Sequence, residues 1–240
     1  MGILQDLLTW AEKLAVRWHK KPPGYDPAKL QTLDEIQASL PCGSLLLCSG
    51  TAPESRLIEE VDGTDFSHVA MIVRFHGDSQ LYLWTADTVD QLPDQIHKDK
   101  NLDHPGTHLL KLETYLADLD RFYPSPDGSK YRFAVSRLQG VTPDEARLWA
   151  VMFAYDDTPF PSTQEEFWHW LEGQEDVPSG MQNSFCAQMV ANTYQKMGWM
   201  LTDHPPNHYN PGDFAQTARI NRQLTGGASL LDPEYFVLEH

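Results

Sequence analysis

The chain has 240 residues, 41% of them hydrophobic, which suits one large domain with a substantial core. Lys and Arg number 18 against 34 Asp and Glu, a formal charge of −16, so nucleic acid and anionic membrane surfaces are disfavoured as electrostatic partners. No apolar run reaches the length of a membrane span. Cys42, Cys48 and Cys186 lack metal-ligand spacing and read as free thiols of a reducing compartment. No metal or cofactor is expected. Asp6 and Glu12 interrupt any signal-peptide apolar region, and Asp6 stands where myristoylation wants Ser or Thr. The expected location is cytoplasmic, with export by a dedicated secretion system left open.

Three units are expected: residues 1–30, 31–237 and 238–240. The first holds an amphipathic helix over 3–19, with Leu4, Leu7, Leu8, Ala11, Leu14, Ala15 and Trp18 on one face. It packs on its own domain or, as the lesser reading, contacts a membrane surface or partner. Pro22, Pro23 and Gly24 make a linker. The last unit, Leu238-Glu239-His240, reads as the remnant of a vector-encoded tag. Within the domain, a short helix near 33–40 ends at Pro41. The run SLLLCS, 44–49, predicts a central strand buried on both faces. Strands are predicted over 67–75 and 81–89, joined by a hairpin turn at HGDS, and again over 107–112 and 131–138. A helix is expected near 112–119. Thr142 to Glu145 reads as a capping box with Pro143 at the first helical position, opening a helix to Tyr155. A further helix covers 163–172, and its aromatic cluster of Phe167, Trp168 and Trp170 reads as core. Prolines argue for an irregular loop over 203–213. Strands first, helices afterwards: the class is α+β, an antiparallel sheet packed against helices.

The stretch NSFCAQMVANTYQKMGW, 183–199, is a loop that becomes a helix. Asn183 or Ser184 is placed to cap it, Met189, Val190, Tyr194 and Met197 give it a buried face, and Gly198 suits a left-handed end. Cys186 then sits on the first turn, where N–H dipoles favour a thiolate, and a depressed pKa is expected. The plainer alternative is a small buried core residue. A nucleophile needs a base and a group that orients the base. Of ten histidines, His68 alone opens an apolar strand. On the next strand Thr85 and Asp87 share one face. Thr85 is favoured as the partner of His68 by position. Asp87 is the alternative by charge, but lies roughly 7 Å further along at the strand's rise.

With these elements in this order, the chain resembles the circularly permuted papain-like cysteine hydrolases of the NlpC superfamily, in the YiiX-like amidase and peptidase branch. Gly43-Ser44-Leu45-Leu46-Leu47 matches the family's opening Gly-Asp and apolar strand, and SHVAMIV from Ser67 its Ser-His strand. YLWTAD from Tyr82 and FCAQMVA from Phe185 match the later motifs, and Pro211-Gly212-Asp213-Phe214 a closing element. The resemblance spans roughly residues 33–216 and is carried by order and spacing rather than by one motif. It implies a circularly permuted papain-like fold, Cys186 as nucleophile and His68 as general base. Three positions depart: Ser44 replaces the family's aspartate, Thr85 its histidine-orienting glutamate, and Ala187-Gln188 its Ser-Glu. The function implied is amide hydrolysis through a thioester, on cell-wall-like peptides. Two other readings stand beside it. One is a lipid acyl hydrolase or acyltransferase with the same Cys–His logic, the apolar N-terminal helix and Trp168, Trp170 and Trp199 suiting a lipid tail. The other is a non-catalytic binding relative. The expected partner is therefore a peptide or lipid substrate, without nucleic acid.

Overall fold

The computed structural model describes residues 26, 30–50, 59, 63–89, 92–98, 104–122 and 132–238. The expected N-terminal helix, nearly all of its linker, and Glu239-His240 lie outside the described residues. Alternating and continuous apolar runs form a seven-stranded sheet in the order β1-β9-β6-β2-β3-β4-β5. The strands are β1 (Gln31–Thr32), β2 (Leu45–Ser49), β3 (His68–Val73), β4 (Tyr82–Asp87), β5 (Gly106–Lys111), β6 (Arg132–Ser136) and β9 (Glu234–Val237). All neighbours run antiparallel except β1 and β9. A separate pair joins β7 (Leu138–Gln139) to β8 (Ser229–Leu230). The fold is α+β, as expected. β2 is fully buried between β3 and β6, which explains its unbroken apolar run.

Helices cover both faces. They are α1 (Leu33–Gln37), α2 (Leu112–Phe122), α3 (Glu145–Tyr155), α4 (Thr163–Gln174), α5 (Cys186–Met197), α6 (Pro211–Ala215) and α7 (Thr217–Ile220). Strand alternation divides the core into two layers. Leu45, Leu47, Val69, Met71 and Trp84 pack with Met189, Val190 and Tyr194 of α5. Leu46, Cys48, Ala70, Ile72 and Leu83 pack with Tyr115 and Leu116 of α2. Two hydrogen bonds tie α5 to the sheet. The Trp84 indole N–H donates to the Thr193 hydroxyl at 3.1 Å, and the Tyr194 hydroxyl donates to the Gly43 carbonyl at 2.5 Å. Gly43 lies at φ +91, which side chains rarely adopt, and a Cβ there would displace Leu138 Cδ2, 2.5 Å away.

Three local expectations are corrected. The box at Thr142 does not form: Asp144 is the N-cap of α3, its carboxylate accepting from Arg147 N at 3.1 Å. The Glu145 carboxylate accepts instead from His76 N at 2.6 Å, in the β3–β4 turn. The loop 203–213 is partly helical, for Pro206 and Pro211 start a 3₁₀ turn and α6, where a missing N–H costs nothing. Asn210 and Asp213 form a capping box there. The third concerns α5, whose N-cap is Phe185 with no side-chain cap. The Ser184 hydroxyl faces that of Thr107 at 3.2 Å instead.

Candidate active site

β3 and β4 are paired only where Met71, Ile72 and Val73 meet Trp84, Leu83 and Tyr82. Toward His68 the ladder stops, while β4 stays paired with β5 through Asp87. His68 sits at this unpaired end, on the Ala70 and Ile72 side, its ring stacked on Tyr115 of α2 with centroids 6.4 Å apart. Its Nε2 lies 3.0 Å from the Thr85 hydroxyl and 3.4 Å from Asp87 Oδ2. Both candidate partners thus reach the same nitrogen. The rise along the strand had placed Asp87 out of reach. Continued from Met71 opposite Trp84, the β3–β4 register puts Asp87 level with His68, and that closes the gap. Asp87 Oδ2 accepts from the Tyr115 hydroxyl, and its Oδ1 accepts from Thr88 N at 2.6 Å and Val89 N at 3.2 Å. Tyr115 escaped the sequence reading because nothing in a helical tyrosine announces a carboxylate 28 residues earlier.

A carboxylate only accepts, so the nitrogen facing Asp87 is the protonated one and Nδ1 keeps a lone pair. Burial pulls the His68 pKa below its ordinary value, and the Asp87 charge partly opposes this. His68 is therefore a neutral ring at pH 7, protonated on Nε2.

Cys186 opens α5 as its sequence implied, and is 3% exposed. It belongs to the layer on the other side of β3 from His68. The backbone of Val69, the residue after His68, and that of Ala187 favour its thiolate. The ring of His68 makes its hydrogen bond to Thr85 rather than to the thiol. The setting of the thiol works against the expected depressed pKa. Burial pushes it well up, the Glu166 and Asp87 charges push the same way, and the bonds from Val69 and Ala187 only partly oppose them. Loss of water around the sulfur outweighs a helix dipole of half a charge. Glu166, on α4, was not singled out from sequence. Burial pushes its carboxyl up to about 7.

The other thiols are also raised by burial, Cys48 further by Asp87 and Cys186. Cys48 is the cross-strand partner of His68 but is held inside the second core layer. Ser44 is buried and its hydroxyl accepts from Leu138 N at 3.2 Å, a bond that fixes the β7 chain. The Gln188 amide donates to the Gly180 carbonyl at 2.7 Å, bracing the loop before α5. Among the described residues, mixed His and Asp groups with ligand atoms in mutual reach lie around His108 and around Asp176, His204 and His208. No described helix is long and apolar enough to cross a membrane.

No family model matches the chain. No curated protein matches it either. Among solved structures, the chain is similar to the metalloprotein yiiX from Escherichia coli O157:H7, at 15% identity over 81% of this chain and 98% of that one, with a TM-score of 0.45.

Proposed function

We propose that the chain is a cysteine-dependent hydrolase on a circularly permuted papain-like plan, cleaving an amide bond of cell-wall-like peptides through Cys186 and His68. The observation that carries this reading is the pair of contacts at His68 Nε2, 3.0 Å to Thr85 and 3.4 Å to Asp87, at the open strand end. They leave Nδ1 as the basic nitrogen. In the proposed reaction the thiol proton passes around the open end of β3 to Nδ1 as Sγ attacks the amide carbonyl. The uncapped first-turn N–H groups of α5 stabilise the oxyanion. The imidazolium then protonates the leaving amine, and a thioester remains. His68 next takes a proton from water, which attacks the thioester, and returns it to the departing Cys186 sulfur as the acid is released. The raised thiol pKa makes this general-base catalysis from a neutral pair rather than attack by a standing thiolate.

Separate incubations with peptidoglycan fragments and phospholipid vesicles, read by mass spectrometry, test the substrate class. Peptide products lost in Cys186→Ser support the reading. Released fatty acid instead would assign a lipid acyl hydrolase, and binding without products a non-catalytic module.

Asp87 and Thr85 separate by tautomer. Thr85→Val removes the shorter contact but leaves the carboxylate to hold the proton on Nε2. Asp87→Asn offers an amide that can donate to Nε2 and so move the proton to Nδ1. A loss of about 10²–10⁴-fold in kcat is expected for Asp87→Asn, the range of a lost general base, and a smaller loss for Thr85→Val. The opposite order in steady-state kinetics returns the orienting role to Thr85, where position alone had put it.

A further inference from the structure

We infer that Asp94, His108 and Asp156 form a binding site for one divalent transition-metal ion, with His97 as a positioning residue. β5 is an edge of the sheet, and two chain segments cover that edge. Gln95 N donates to the Leu109 carbonyl at 2.8 Å. Asp157 N donates to the Thr107 carbonyl and Thr107 N to the Thr158 carbonyl, each at 2.8 Å. His108 lies between these two clasps. One donor atom from each of Asp94, His108 and Asp156 lies within 4.8 Å of the others. The site is dry: the side chains of Asp94 and Asp156 are 3% and 1% exposed, and His108 is 3% exposed.

Of its three side chains, His108 and Asp156 each keep one buried polar atom, Nε2 and Oδ1, with no hydrogen-bond partner. Such unpaired atoms, on side chains grouped with a second carboxylate, are costly to keep from water. A divalent cation resolves all of this at once, because both carboxylates and a neutral imidazole become ligands and the charges cancel. The rest of the cluster is arranged as an outer support. Asp156 Oδ2 meets His97 Nδ1 at 2.5 Å, so one oxygen is held and the other stays open. Asp94 is fixed by Leu109 N on Oδ1 at 3.2 Å and His97 N on Oδ2 at 2.6 Å. Two carboxylates and an imidazole, without thiolate, suit Zn²⁺ or Mn²⁺ and offer too few oxygens for Ca²⁺.

His108 also approaches a second group, in which His104 Nε2 meets Asp157 Oδ1 at 3.1 Å. Those two side chains are 38% and 44% exposed and remain hydrated. The Asp176, His204 and His208 group is similarly open, and His208 Nδ1 is already bonded to the Gly173 carbonyl at 2.8 Å. The ion's role in the fold follows from the clasps. It pins the 92–98 segment and the turn after α3 to β5. That turn carries Pro159, whose carbonyl accepts from Ser184 N at 3.0 Å, two residues before Cys186. The site stands on its own and does not require that the chain be a hydrolase.

The test is zinc binding by the full chain after chelator treatment and dialysis, followed by calorimetry with zinc chloride and by elemental analysis. Wild type is expected to take up one Zn²⁺ per chain. Asp156→Asn and His108→Gln are expected to weaken binding at least ~100-fold, and His97→Phe about 10–100-fold, as for lost outer-shell support. Asp176→Asn should bind as wild type does. If the ligand variants do not fold by circular dichroism, anomalous diffraction at the zinc edge on soaked wild-type crystals decides, the ion lying between Asp94, His108 and Asp156. No uptake by wild type, an ion located elsewhere, or binding lost in Asp157→Asn and retained in Asp156→Asn overturns the assignment.

Discussion

Turnover is expected to fall by ~10³-fold or more in Cys186→Ser and in His68→Ala, with both proteins folded. Serine is nearly isosteric with cysteine but far less acidic, and the single neutral base at Nδ1 cannot activate it comparably. His68→Ala removes that base outright. The fold should survive both changes. The His68 side chain is 16% exposed and stands at a strand end where pairing with β4 has already ceased. The double variant should be scarcely worse than either single one, because the two residues act as a unit. Cys48→Ala serves as the control, since that thiol lies on the same strand-end level as His68 yet inside the second core layer. Wild-type rates in either single variant on an authentic substrate would sink the dyad, and loss of activity in Cys48→Ala with a normal fold would move the nucleophile.

Replacing Glu166 with Gln is expected to stabilise the protein at alkaline pH and to make Cys186 more reactive. The folded carboxyl titrates at about 7 against an ordinary value of 4.5, so the fold prefers its protonated form. That preference is fully available below the unfolded pKa and is lost as pH rises through 7. Glutamine mimics the protonated state at every pH. The gain in unfolding free energy should therefore be near zero at pH 4 and rise to at most about 3 kcal/mol at pH 8, each pKa unit corresponding to about 1.4 kcal/mol. Urea midpoints across this pH range measure it. Removing the same charge relieves one cause of the raised Cys186 pKa. Iodoacetamide should then label Cys186 faster at a given pH, and in both proteins the rate should climb about tenfold per pH unit while the thiol remains largely protonated. A loss of stability at pH 8 would mean that the carboxylate has a partner the variant breaks.

Local chemistry made much of the chain legible. The unbroken apolar run of β2, the His68 strand, and the strand carrying Thr85 and Asp87 are sequence-periodic features, and each appears within a residue or two of its expected bounds. Gly198 ends α5 in the left-handed conformation at φ 77 that its position implied. That Thr85 and Asp87 share one strand face, the face that meets His68, was also readable, because alternation fixes the face of a strand. Strand β9 was missed. It is four residues long and gains its place only by pairing with β6 and β1, far away in sequence.

The electrostatic setting of the candidate site was decided by tertiary structure alone. A cysteine on a first helical turn predicts an acidic thiol only while that turn is hydrated. Here the first turn is buried, and the Glu166 and Asp87 charges face it from two other elements. Tyr115 holds Asp87 from a helix on the opposite core layer, and the side chains of Asp94, His108 and Asp156 meet because two loops fold over one sheet edge. None of these meetings has a period or a fixed spacing along the chain. The longer, periodic strands and helices were legible along the chain, because they depend on neighbours within a few residues, while caps and short elements were not. Charge, hydration and the company each side chain keeps depend on chain closure over scores of residues, and only the folded structure decided them.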